Sequence, residues 1–264
     1  MSTLTTPTSA RAGRELSDAV PMSRLLRVEL RKLVDTRSGR WLLIAIGVLT
    51  AAVVTVFLFA APPEELTYTN FVTATGTPQG VLLPILGILT VTSEWGQRTG
   101  LVTFTLEPKR GRVVVAKLLA VLLLGLLAVA VAFTLAAVGN ALGAALQDGD
   151  GDWGFGLAGF RDILVLQLLG VLQGLALGML IMNTAGAIVT YFALPAAVGI
   201  LAGTVESFRR VAEWVDINTA SIPLSAHETE AGDWGRLAVA ALIWVVLPMT
   251  IGWFRLLHRE LKSA

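Results

Sequence analysis

Glu94, Arg98, Thr99, Thr103 and Thr105 are the residues whose types and spacing invite a chemical reading. They lie in TSEWGQRTGLVTFTLEPKRGRVVVAK (residues 92–117), a polar insert between two long apolar runs. Such an insert is an active site, a connector or a docking surface. Glu94 and Arg98 stand four apart, in the order that favours an ion pair on one helix face, worth roughly 0.2–0.5 kcal/mol. Pro108 interrupts any helix, and Lys109, Arg110 and Arg112 then precede the next apolar run, where basic residues through Lys117 read as membrane anchoring. Between Glu94 and Thr105, acid and hydroxyl groups alternate with Val102 and Phe104, a pattern that suits a small amphipathic docking helix better than a bare connector.

Catalysis finds little material elsewhere. The chain has no cysteine, which removes disulfides, thiol nucleophiles and thiolate metal sites, and its histidines are His227 and His258 alone. It contains no phosphate loop, no nucleophile elbow and no H-E-x-x-H pair. Paired carboxylates fall in polar segments, where solvated acidic faces are the usual explanation. The expectation is a chain without catalytic residues, metal or cofactor of its own.

The elements that position the insert follow from composition. Of the 264 residues, 55% are hydrophobic and 15% charged, against about 45–50% and about 25% in an ordinary globular domain. That much apolar surface needs a membrane. The net charge of +1 gives no sign of a nucleic-acid partner. A helix needs about 20 apolar residues to cross about 30 Å of hydrocarbon. Spans are predicted at about 41–60, 72–93, 113–139, 162–182, 185–203 and 236–254, the fourth and fifth separated by a turn at Asn183-Thr184. The second contains Pro84 and needs the polar residues before it to reach across. The first begins only after residue 40 and no A-x-A-like site follows it, so a retained span is expected rather than a cleaved signal.

Six spans put both termini on one side. Sixteen of the Lys and Arg residues then share that side with the 92–117 insert, and four (Arg161, Arg209, Arg210 and Arg236) lie opposite. The termini and the insert are therefore expected in the cytoplasm. The richness in Ala, Gly and Val suits a GC-rich bacterial source and hence a bacterial plasma membrane.

Other segments add detail. Residues 1–20 lack apolar periodicity and are expected to be disordered. In residues 21–36, Met22, Leu26, Leu30 and Leu33 recur at helical spacing while Arg24, Arg27, Arg31 and Lys32 face elsewhere. That is a basic amphipathic helix at the membrane interface, serving as an anchor held by anionic lipid or also as a partner contact. Segment 204–235, with Trp214, Ile217, Ile222 and Leu224, reads as a partly buried re-entrant hairpin acting as packed cap or gate. Gly170, Gly174 and Gly178 form a close-packing face. Thr73, Thr75, Thr77 and Gln79 line a pathway or a helix contact. The fold class is thus all-α integral membrane: six transmembrane helices preceded by an amphipathic interfacial helix, with residues 21–264 forming one six-span domain.

The spans hold no Asp, Glu, Lys, Arg or His away from their ends. A mid-bilayer charge costs about 2.5–3.5 kcal/mol, and carriers coupled to protons or ions use one. If this chain moves a substrate, the energy comes from outside it. Glu94-Trp95, Thr99, Pro108, Arg110, the Val-rich stretch and Ala116-Lys117 then resemble permeases of the type 2 ATP-binding-cassette exporter family. ELRKL (29–33) followed by TRSGRW (36–41) resembles that family's connecting helix. The resemblance runs over roughly residues 22–260 and includes the six-span plan, cytoplasmic termini and a long last outer loop. It implies a homodimer, or a pair with a similar permease, joined to separate ATP-binding-cassette subunits that hold ATP and magnesium. It makes Glu94, Arg98, Thr99, Thr103 and Thr105 the coupling-loop contacts with the ATPase, joined by Arg31 and Lys32 on the connecting helix. The loop between spans four and five is too short and uncharged for a second docking site. The alternative is a non-transporting scaffold or sensor subunit whose loop docks a cytoplasmic regulator. The substrate is not legible.

Overall fold

The computed structural model describes residues 20–96 and 109–258. Among these the helices run α1 (Met22–Asp35), α2 (Arg37–Ala60), a short 3-10 turn at Pro63–Glu65, α3 (Tyr68–Gly96), α4 (Arg110–Leu146), α5 (Gly156–Ile181), α6 (Thr184–Thr204), α7 (Glu206–Val215), α8 (Ile217–Ser225), α9 (Ala231–Ala241) and α10 (Leu247–His258), with a π-turn at Leu242–Val246 joining the last two into one rod. Six of these segments are long and apolar enough to cross a bilayer: α2, α3, α4, α5, α6 and the α9–α10 rod. The chain is an all-α, multi-pass membrane protein. Residues 1–19, most of the tail expected to be disordered, lie outside the described residues.

The helices outrun the predicted spans. The second starts at Tyr68 rather than 72, because Thr67 Oγ1 accepts the Asn70 N–H at 3.3 Å and the Tyr68 N–H donates to Asp152 O at 3.0 Å. It continues through Pro78 and Pro84. The third is 37 residues long and extends past both predicted ends. The fourth and fifth separate where expected: Met182 takes a left-handed conformation (φ 56°), and Asn183 caps α6 by accepting the Gly186 N–H at 2.8 Å. In the sixth, Pro248 lacks an N–H and crowds the carbonyl of Trp244 one turn back. The chain meets this with the π-turn, a widening at 242–246.

Small residues set the centre of the bundle. A Cβ on Gly174 of α5 would lie 2.1 Å from the Pro84 carbonyl oxygen on α3, and one on Gly87 would lie 2.3 Å from Val171 O. The two backbones touch, as Gly170, Gly174 and Gly178 predicted. Around this contact Leu33 of α1, Ile46 of α2, Leu83 and Leu86 of α3, and Val113 and Val121 of α4 pack into one core cluster.

At the opposite end of the bundle from α1, the expected irregular hairpin is instead two short helices. Asp216 breaks them and caps α8, accepting the N–H groups of Asn218 (3.3 Å) and Thr219 (3.1 Å). Ile217, Ala220 and Leu224 pack on Leu237, Ala240 and Trp244 of the last rod. Of the residues expected to be buried there, Trp214 (46% exposed) and Ile222 (61%) face outward. A nine-residue helix has one inward face, and Ile222 lies off it.

Candidate functional site

α1 ends at Asp35 and α2 begins at Arg37, with only Thr36 between them in extended conformation. Thr36 Oγ1 accepts the Gly39 N–H at 3.3 Å, and a Cβ on Gly39 would fall 1.9 Å from Leu33 O, so this tight corner requires glycine. The corner folds α1 back against α4, with Leu26, Leu30 and Leu33 on the core. Arg24, Arg27 and Arg31 stay exposed, as the periodicity predicted. Glu29 and Lys32, three residues apart and so on one face, turn inward.

There they meet the last turns of α3 and the second turn of α4. Lys32 Nζ lies 2.8 Å from Glu29 Oε1 and 2.6 Å from Glu94 Oε1. Lys117 Nζ lies 2.7 Å from Glu29 Oε2 and 2.9 Å from Glu94 Oε1, and also donates to Thr90 O at 3.3 Å. The side chains of Glu29, Glu94 and Lys117 are 5%, 8% and 5% exposed, and that of Lys32 is 34% exposed. Two carboxylates and two ammoniums close a square with no net charge. Burial opposes the charge on Lys32, but the combined attraction of Glu94 and Glu29 outweighs it and holds the ammonium above its ordinary range. Each pair alone would barely repay its desolvation, whereas here every charge meets two of the opposite sign.

The same end carries further ties. Arg110, first residue of α4, donates to Leu256 O (3.0 Å) and Leu257 O (3.3 Å) at the end of α10. Arg255 of α10 donates to Leu180 O at the end of α5. Arg112 donates to Val20 O just before α1. Thr184 at the start of α6 donates to Thr92 Oγ1 at 2.8 Å. Guanidiniums thus satisfy the unpaired carbonyls of two helix ends and offset their partial negative charge.

The structure brings Glu94 and Lys32 together from 62 residues apart, but joins them to each other rather than presenting them outward. The Glu94 carboxylate faces Lys32 and Lys117, not the surface. Arg31 is exposed on α1. Arg98, Thr99, Thr103 and Thr105 lie outside the described residues, so the Glu94–Arg98 pairing does too. Lys117 is no surface anchor: it is a buried corner of the square. Sequence reasoning missed Glu29 and Lys117. The signals were present, since Glu29 sits inside the apolar stripe of α1 and Lys117 is a lone charge in VVVAKLLAV. A charge in such a setting is almost always paired.

A second polar cluster lies at the far end. Asp162, wholly buried, pairs with Arg161 at 2.7 Å, and His227 Nδ1 approaches its other oxygen to 4.0 Å. Arg161 also donates to Thr229 Oγ1 (2.8 Å) and sits 4.8 Å over the Trp234 ring, pinning the segment between α8 and α9 to α5. Of the polar residues at the start of α3, Thr75 and Gln79 are buried against neighbouring helices, Gln79 donating to Ala128 O at 2.8 Å. Thr73 and Thr77 point the other way and line a cavity. Neither the family models nor the curated proteins compared with this sequence match it.

Proposed function

We propose that this chain is the membrane permease of an ATP-driven exporter in the bacterial plasma membrane, working as a homodimer with separate ATP-binding subunits that dock from the cytoplasm on the polar insert between the second and third spans. The observation that carries the reading is the square of Glu29, Lys32, Glu94 and Lys117, where the helices on either side of that insert meet α1. It ties the amphipathic helix and those two helices into one unit. A push on the insert is thereby passed to α1, α3 and α4 together. The spans supply no mid-membrane charge for ion coupling, which favours an external energy source. The exposed basic face of α1, with Arg24, Arg27 and Arg31, suits the anionic lipid surface. α6, whose apolar window is only 17% buried, leaves a face for lipid or a second copy.

On this reading Arg98, Thr99, Thr103 and Thr105 make the direct contacts, and Glu94 and Lys32, paired with each other, tie the helices beside them together. The test is affinity purification of the full chain from native membranes in mild detergent. A Walker-motif ATPase should co-purify with the wild type, and Thr99→Arg should lose it while leaving the permease as stable as before. If no ATPase is recovered and transport-dependent ATP use is unchanged by overexpression, the reading fails. Recovery of an ATPase with no substrate flux would assign the scaffold role instead.

A further inference from the structure

Beside the α3–α5 contact, toward the α8 end, the bundle opens into two adjoining cavities of about 330 and 180 Å³ that meet at Gly80 and Tyr191. The first is within the size range of small-molecule sites. Helical spacing places its walls: Thr73, Thr77 and Gly80 form one stripe on α3, and Gln167, Gly170 and Gln173 face it from α5. Ser225 and Asn218 of α8 border the two cavities, and Tyr191 and Phe192 of α6 supply an aromatic wall, their rings packed edge to face at 4.9 Å.

Two properties define what would fit. Among the described residues, no Asp, Glu, Lys, Arg or His lines either cavity. A charged ligand would leave water without a counter-ion. The lining is nevertheless rich in hydrogen-bonding groups, and one is unmet: Gln173, 3% exposed and lining the smaller cavity, has no partner for its Nε2 donor. Buried amides are almost always bonded, and a purely hydrocarbon occupant would leave this one orphaned.

We infer that this groove binds an uncharged, polyhydroxylated amphiphile of the glycoside class. Its hydroxyls meet Gln173, Thr73, Thr77 and Ser225, and the C–H face of its ring lies on Tyr191 and Phe192. The site extends the permease reading by naming a class of cargo. It rests on that reading only for the step from binding to transport, because the groove belongs to one chain and needs no ATPase.

The test exploits the absence of native cysteine. The full chain carrying Gly80→Cys, at a position that borders both cavities with nothing within 4 Å of its Cβ position, is placed in phosphatidylcholine nanodiscs without ATPase, and its maleimide labelling rate is measured with n-octyl β-D-glucoside, octyl sulfate or octyltrimethylammonium. At a glucoside concentration about four times its Kd, labelling should slow about fivefold, following one plus the ratio of ligand to Kd. The two charged amphiphiles of equal chain length should leave the rate nearly unchanged, and so should the glucoside at Leu146→Cys, on the exposed end of α4. Adding Gln173→Leu should abolish the protection without altering the unliganded rate. Equal protection by all three amphiphiles, protection that survives Gln173→Leu, or none at all would overturn the site. Any of these would leave ATPase co-purification, and the permease reading with it, untouched.

Discussion

Glu94 holds two ammonium groups with one oxygen, Oε1, while Glu29 spreads the same two partners over both of its oxygens. Removing either carboxylate leaves a buried positive charge with half its compensation, which costs about 3–5 kcal/mol when a buried pair is broken. Glu94→Gln, and Lys117→Met, which leaves the two buried carboxylates one ammonium short, should each lower the thermal midpoint in detergent sharply. The double variant restores neutrality and should recover a large part of the loss, giving an interaction energy above the roughly 0.5 kcal/mol scatter of independent sites. Strictly additive losses would show that the square is incidental. Glu94→Gln should also loosen coupling without abolishing ATPase binding, since its side chain faces inward.

Among the elements, the α3–α5 contact has the least tolerance. The Pro84 carbonyl occupies the place where a Gly174 Cβ would stand, and both atoms at fault are backbone. Gly174→Ala must then separate two helices, an overpacking penalty of about 1–3 kcal/mol or more. Gly199, in the middle of α6 with nothing within 4 Å of its Cβ position, is the matched control. There Ala should be neutral or stabilising by about 0.4–1 kcal/mol through the unfolded chain. Differential scanning of the two variants should separate them; equal midpoints would mean that α3 and α5 do not meet as described. The π-turn shows the opposite strategy. At Pro248 the helix deforms instead of demanding a small neighbour, because the misfit lies within one chain segment.

For the whole molecule, the bundle has two differently built ends. One is tied by the ion-pair square and by Arg110, Arg112 and Arg255 on backbone carbonyls, and the other by aromatic packing of Tyr68, Phe155 and Phe160 and by the α7–α8 pair. The proposed orientation, with the first end in the cytoplasm, rests on the excess of basic residues there. Single cysteines at Thr105 and Ser225 report on this directly. With a membrane-impermeant maleimide on intact cells, Ser225→Cys should label and Thr105→Cys should label only after permeabilisation. Labelling of both from one side would overturn the six-span arrangement.

The six spans, the amphipathic α1 and the break at Asn183 were legible in the amino-acid sequence, because hydrophobic length and helical period are local properties that a bilayer reads residue by residue. The small-residue face of α5 was legible for the same reason. The partners of Glu94, the inward turn of Lys32 and the burial of Lys117 were not. They depend on the corner at Thr36–Gly39 swinging α1 onto α4, and on two backbones meeting at Gly174. Electrostatic pairing is set by distance in space, and residues 29, 32, 94 and 117 acquire that distance only when the helices pack. The polar groove followed the same rule. Thr73 and Thr77 were separable from Thr75 and Gln79 by helical phase, but only tertiary packing decided which phase faced the cavity.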